Sequence, residues 1–214
     1  TYRLGRVLHG MERWDEALGL YRQTITNGRE STYYYACNAA LQAAFGALIT
    51  VAPGMAERVN AWDESRLSYV ATGQRCARFS AADELKVGVP LRAGGRDWQV
   101  LAAPGHDADS VMLFDAANGV LISADALWEN GFGVVFPELE GAQAFAEVSD
   151  TLDLIEKLSP RTVIPGHGPV FHDAPRALGV ARKRLDGFVQ QPLKHALYAA
   201  KVLLKYKLLE WQEI

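Results

Sequence analysis

The sequence predicts an α/β fold, with strands layered against helices, on three observations. Two stretches, "VPLRAGGRDWQVLAAPG" and "SVMLFDAANGVLISAD", alternate apolar and polar residues about Gly94-Gly95 and Asn118-Gly119, which is the signature of β-hairpins. A short β-branched run, "RTVIPG", follows and is stopped by proline and glycine. Segments with helical spacing lie on both sides of these strands, and strands bordered by helices bury their apolar faces as layers.

Taken in order, the chain opens on helical spacing. Leu4, Val7, Leu8 and Met11 share one stripe, and Trp14, Ala17, Leu18, Tyr21 and Ile25 share a second. Gly10 to Arg13 is too short a connection for anything but an antiparallel helical hairpin. The placing of Leu4-Gly5, Leu8, Trp14, Ala17 and Tyr21 resembles one tetratricopeptide repeat, although such folds take about three stacked units and a plain helical hairpin fits nearly as well. A third helix is expected over Tyr33 to Ala47. "ALITVAPG" then reads as a short strand and "MAERVNAW" as a short helix. After the two hairpins come a glycine-rich loop, "ENGFGVVFPELEG", a helix from Ala142 to Leu158, the strand "RTVIPG", and helices over Ala174 to Val189 and Leu193 to Trp211.

Composition narrows the function classes. The 214 residues carry a net charge of −3 with 49% hydrophobic side chains, a globular balance with no basic tail for nucleic acid. No segment reaches the roughly 20 uninterrupted apolar residues of a membrane span, and the charged opening "TYRLGRVLHGMERWDEAL" lacks the pattern of a secretory signal. Cys37 and Cys76 have no close-spaced metal or redox pattern and read as free thiols, so the expected location is the cytoplasm. Both ends fall inside periodic sequence, which reads as a piece of something longer. The expected partner is a small-molecule substrate.

Three polar residues carry the chemistry. His106 follows "QVLAAPG", Asp125 follows "GVLISA" and His167 follows "RTVIPG", so each sits just beyond a strand and one sheet edge can gather all three. Singly, each has a plainer explanation: loop histidines are commonly solvated, and Asp125 is suited to holding the turn before "ALWENG". Together, two imidazoles and a carboxylate form a donor set suited to Zn²⁺, and also to Fe²⁺ or Mn²⁺. Gly166 and Gly168 around His167 leave the backbone free to approach a bound ion.

"APGHDADSVMLFD", "GVLISADALW" and "TVIPGHGPVF", in this order and spacing, resemble the second half of the metallo-β-lactamase-fold hydrolases. The resemblance covers roughly Asn38 to the C-terminus. It implies an αββα sandwich with the site along one edge of its two sheets, and a metal-bound hydroxide that attacks an ester, thioester, lactone, amide or phosphodiester. Carried over, it makes His106 a histidine ligand of a first metal, Asp125 the carboxylate bridging two metals, and His167 the last ligand of the second. No serine or cysteine has nucleophile-elbow spacing, so no protein nucleophile is expected.

The same family's His-x-His-x-Asp-His is missing. Counting back from "NAALQAAFGA", which starts at Asn38, its ligand slots fall on Arg29, Ser31, Tyr33 and Tyr34, a permanent cation and three weak hydroxyl donors. The expectation is therefore an incomplete αββα sandwich with an N-terminal helical hairpin: residues 1–37 helical and tetratricopeptide-like, and 38–214 the C-terminal portion of the family's domain. Such a chain is expected to hold at best one ion weakly, to be impaired as a catalyst and to expose strand edges. The alternative is a non-catalytic interaction module, a truncated or chimeric relic whose helical segment binds a partner. His9 and His195 are assigned surface or packing roles, and His172 either lines the pocket or marks the helix start at Asp173. The loop "WENGFGVVFPELEG" is expected on the substrate side, a structural turn fitting nearly as well; Asp63 is given no role, and the last helix is expected to pack its apolar face on the sheet in preference to lying on a membrane.

Overall fold

The computed structural model describes residues 42, 46, 48–64, 66–67, 78–137 and 143–211. The expected helical hairpin, the third helix apart from Gln42 and Gly46, both cysteines and the four empty ligand slots lie outside these residues. The chain forms two compact units, one of Thr1–Thr50 with Ala56–Asp83, the other of Val51–Met55 with Glu84–Ile214.

Strand β1 (Thr50–Val51) pairs with β2 (Asp83–Glu84) in a two-stranded sheet, and helix α1 (Ala56–Ala61) lies between them in sequence. Within the first unit Ile49, Val59, Leu67 and Phe79 are buried, and Trp62 meets the Phe79 ring edge-on at 5.9 Å. Two side-chain amides act as substitute strand neighbours. Asn60 accepts from the Ala81 N–H at 2.9 Å and donates to its carbonyl at 3.1 Å, and Gln42 clasps Ser80 in the same way at 2.8 Å for each bond.

The second unit carries a five-stranded sheet in the order β3 (Leu91–Ala93), β4 (Arg96–Ala102), β5 (Val111–Asp115), β6 (Val120–Ala124), β7 (Thr162–Pro165). The first three pairings are antiparallel and β6 with β7 is parallel. Strands β4, β6 and β7 therefore run the same way, and their C-terminal ends lie along one edge. Helices α2 (Ala144–Leu158), α3 (Ala174–Gln190) and α4 (Pro192–Trp211) complete the unit.

Both hairpins stand where the sequence places them, but their turns differ. Gly94 and Gly95 have φ of +59° and +72°, the paired positive values that a two-residue turn with the right twist demands. The second turn is a four-residue loop, because Asp115 still pairs with Val120. Asp115 holds that loop itself: its carboxylate accepts from the Asn118 N–H at 3.1 Å, from the Asn118 side chain at 2.7 Å and from Arg96 at 3.0 Å.

Alternation along the strands explains the core. Met112, Phe114, Leu121 and Val163 share one sheet face and are buried with Val148, Leu152 and Ile155 of α2 and Leu178 and Leu185 of α3. Each such side chain contributes about 1.5–3 kcal/mol by leaving water. On the opposite face Leu113 and Ile122 are only half-buried and Ile164 is exposed. The outer side of β7 is closed at one point, where Val163 and Phe171 exchange both backbone hydrogen bonds at 2.8 and 3.1 Å. Helix α3 starts at Asp173, whose carboxylate caps the Arg176 N–H at 3.0 Å. His172 precedes this cap and is exposed, with Nδ1 3.2 Å from the Thr162 hydroxyl.

The last helix departs from expectation. It packs along α3 through buried His195 and Ala199, while Leu193, Leu197 and Leu204 are exposed. Among the described residues no helix is long and apolar enough to cross a membrane.

Candidate metal centre

The common direction of β4, β6 and β7 brings His106, Asp125 and His167 together at one sheet edge. His106 stands four residues beyond β4, Asp125 directly after β6 and His167 two residues after β7. Strand β6 ends in Ala124 at φ +46°, a left-handed conformation unusual for a residue with a side chain, and its ladder with β7 is irregular between Ile122 and Ala124. Irregularities of this kind re-aim the side chain that follows, here the Asp125 carboxylate. The Gly166 N–H closes the turn onto the Ala124 carbonyl at 2.7 Å, and the Gly133 N–H does the same onto the Asp125 carbonyl at 2.7 Å.

The carboxylate oxygens have separate duties. Oδ1 accepts from the Trp128 indole at 2.9 Å. Oδ2 faces His106 Nε2 at 3.4 Å and His167 Nε2 at 3.8 Å. The His106 ring is fixed from behind, since Nδ1 lies 2.5 Å from the Val134 carbonyl, an acceptor only, and must donate its hydrogen there. In the neutral ring this leaves the Nε2 lone pair directed at the shared space, the arrangement in which imidazole binds metals. The His167 ring rests edge-on against Trp128 at 5.2 Å and is 64% exposed, against 30% for His106, so the site opens to solvent on the His167 side.

Two glycines make room for this convergence. A Cβ at Gly133 would lie 2.7 Å from His106 Cγ and 3.0 Å from Asp125 Cβ, and one at Gly166 would lie 2.5 Å from Asp125 Oδ1. Gly166 thus gives clearance to the carboxylate. Gly168 has open space around it, and its φ of +91° is the reason for glycine there, not approach to an ion.

The charges are mutually adapted. Burial disfavours the charged form of His106, but its hydrogen bond with Asp125, the Val134 carbonyl and the nearby Asp125 and Asp107 charges outweigh burial and raise it above the ordinary histidine range. Burial pushes the Asp125 carboxyl up, and His106, His167 and Trp128 more than reverse this, so it lies below the usual carboxylate range.

The donors suit a divalent ion. Two ligands bound at about 2.0–2.2 Å in a tetrahedron stand roughly 3.4 Å apart, the spacing found between His106 and Asp125 and a little less than that to His167. The convergence is pairwise, through a single oxygen, and among the described residues no group of three or more His, Cys, Asp or Glu is placed so as to hold a metal ion.

Some of the site's support carries little signature in sequence. Trp128 enters the sequence pattern only as the last residue of "GVLISADALW", and a backbone carbonyl such as that of Val134 has no residue type to mark it. The loop expected on the substrate side is buried from Gly131 to Val135, where it forms the wall behind His106, and Asn130 is exposed. His195 is a packing residue, 3% exposed on α4.

Comparison with known proteins bears on the family and the fold. The family model of the metallo-beta-lactamase superfamily matches residues 52–167. A Caenorhabditis elegans protein described as a beta-lactamase-like protein 2 homolog is 25% identical over 130 residues, which are 61% of this chain and 38% of that protein. Among solved structures, a metallo-beta-lactamase family protein from Thermus thermophilus superposes with a TM-score of 0.56 at 19% identity, over 75% of this chain and 58% of that one. A metallo-beta-lactamase from Cronobacter sakazakii, carrying a mutated motif, gives 0.54 at 14% identity over 74% and 70%. The chain thus spans well under two thirds of the Caenorhabditis and Thermus proteins, and the structural likenesses establish the fold alone. With more than half of its residues matched by the family model, the chain belongs to the metallo-beta-lactamase superfamily.

Proposed function

We propose that this chain is a metal-binding member of a hydrolase lineage in which His106, Asp125 and His167 hold one divalent ion, and that its turnover of a small-molecule substrate is impaired. The observation that carries this reading is the approach of both Nε2 atoms to the same Asp125 oxygen. Zinc suits two imidazoles and a carboxylate best, and iron or manganese are accommodated by the same donors. Such an ion, when bound, lowers the pKa of coordinated water toward about 7 and polarises the bond under attack, which is the chemistry that hydrolysis of an ester, thioester, lactone or phosphodiester needs.

The chain's own residues supply orientation. Val134 holds His106 in the ligating tautomer, Trp128 occupies one Asp125 oxygen and leaves the other for the ion, and the exposed His167 side is where a substrate enters. Impairment follows from the donor count. The histidines are His9, His106, His167, His172 and His195, and no His-x-His-x-Asp-His occurs anywhere in the sequence. Three protein donors are at the lower limit for a stable site. In this reading 38–214 are the portion that belongs to the family's domain, and the segment 1–37 lies outside the described residues.

Equilibrium dialysis of the full chain against Zn²⁺, Fe²⁺ and Mn²⁺, with His106→Ala and His167→Ala alongside, tests the ion. The expected result is at most one ion per chain, lost in both variants; equal and negligible binding by all three proteins overturns it. Assay of the zinc-loaded chain on ester, thioester, lactone and phosphodiester panels tests the impairment, and rates typical of efficient enzymes would contradict it.

A further inference from the structure

We propose that His195, on α4, is a positioning residue for the metal centre, fixing the orientation of His106 through the backbone of Val135 and Val134. The inference rests on the reading of His106 as a metal ligand. His195 is buried, and its Nε2 lies 2.8 Å from the Val135 carbonyl, so Nε2–H is the donor. The neighbouring carbonyl, that of Val134, accepts from His106 Nδ1. Two histidines from distant parts of the chain thus hold successive carbonyls of one two-residue segment, one ring facing the metal centre and the other anchored in the helical layer.

The side chains of Phe132 and Val135 are buried in the core cluster, so what is at issue is the orientation of the backbone carbonyls. The Gly133 N–H ties the segment to the Asp125 carbonyl, and Arg184 of α3 lies against Gly131 and over the Phe132 ring at 5.2 Å. At Val135 the described partner is His195. The His195 ring is itself held edge-on between Phe145 at 5.0 Å and Phe188 at 4.8 Å, so it is a fixed donor. A buried carbonyl deprived of its donor turns toward another. Rotation of the Val135 peptide displaces the Val134 carbonyl beside it, and with it the hydrogen bond that sets the His106 tautomer and ring angle. Partners of this kind alter metal affinity without touching the ion.

The test uses the metal-free full chain with ¹⁵N-labelled histidine, followed by Zn²⁺ titration, for the wild type, His195→Phe and His195→Gln. Phenylalanine keeps the ring between Phe145 and Phe188 and removes the N–H; glutamine restores an N–H at similar reach and removes the ring. Positioning predicts a slowly exchanging His106 Nδ1 proton in the wild type, its loss in His195→Phe with Zn²⁺ affinity about tenfold weaker, and recovery of both in His195→Gln. A His106 signal and Zn²⁺ affinity unchanged in folded His195→Phe overturn the proposal. If His195→Phe does not fold, His195→Gln decides: wild-type His106 behaviour supports positioning, and loss of it shows that only ring packing matters. A wild type that binds no Zn²⁺ defeats the metal reading separately, because the His106 proton is read without metal.

Discussion

The Trp128 indole donates to Asp125 Oδ1 at 2.9 Å and so decides which oxygen of that carboxylate faces His106 and His167. Trp128→Phe keeps an aromatic edge against His167 and frees Oδ1 to rotate inward. Zn²⁺ affinity is expected to fall by about tenfold to a hundredfold, as for other partners of metal ligands, with little change in the thermal midpoint. Isothermal titration alongside a melting curve separates the two effects, and an unchanged affinity would remove Trp128 from the site.

Clearance around the ligands is equally open to test. In Gly133→Ala the new methyl group meets His106 and Asp125, and in Gly166→Ala it meets Asp125 Oδ1. Neither carboxylate nor ring can stay where it is. Both variants are expected to lose Zn²⁺ binding and about 1–3 kcal/mol of stability by overpacking, whereas Gly168→Ala, in open space, should cost only the backbone strain of its positive φ and leave Zn²⁺ binding in place. Urea denaturation with parallel dialysis checks each.

Acid stability should report on the β5–β6 turn. The Asn118 side chain, with the Asn118 N–H and Arg96, holds the Asp115 carboxyl below its ordinary range despite the opposing effect of burial. A carboxyl lowered on folding stabilises the native state fully above its unfolded value of about 4 and loses that contribution as pH falls through the lower folded value. The wild type is thus expected to lose stability on acidification through that window. Asp115→Asn should be less stable at neutral pH and lose less there; identical pH profiles for the two would show that Asp115 is not responsible.

The core makes its own prediction. Leu152 of α2 is fully buried in the cluster that joins the sheet to the helices. Leu152→Ala is expected to cost about 2–5 kcal/mol, measured by chemical denaturation, while Leu197→Ala on the exposed side of α4 should stay within about 0.5 kcal/mol of the wild type.

These sites differ in how far the sequence discloses them. His106, Asp125 and His167 are legible because each follows a strand-like run, and parallel directions in β4, β6 and β7 carry such residues to one edge. The Gly94-Gly95 turn is legible because two adjacent positive φ angles nearly demand glycine. The wider turn at Asn118-Gly119 is not, since it depends on Asp115 reaching Asn118 and Arg96, the latter from another strand. Nor is the wall behind His106: it consists of backbone groups of Val134 and Gly133, and a carbonyl acceptor has no residue type. The left-handed Ala124 runs against local preference altogether, and only the tertiary closure by Gly166 and Gly133 makes sense of it. For His195 the sequence leaves surface and packing roles open and does not disclose the bond to the Val135 carbonyl.

X-ray absorption spectroscopy of the zinc-loaded full chain tests the central claim most directly. A first shell of nitrogen and oxygen at about 2.0–2.2 Å, with the outer scattering of two imidazoles falling to one in His106→Ala and in His167→Ala, is the predicted result. A shell containing sulfur, or imidazole scattering unchanged by either substitution, would contradict it.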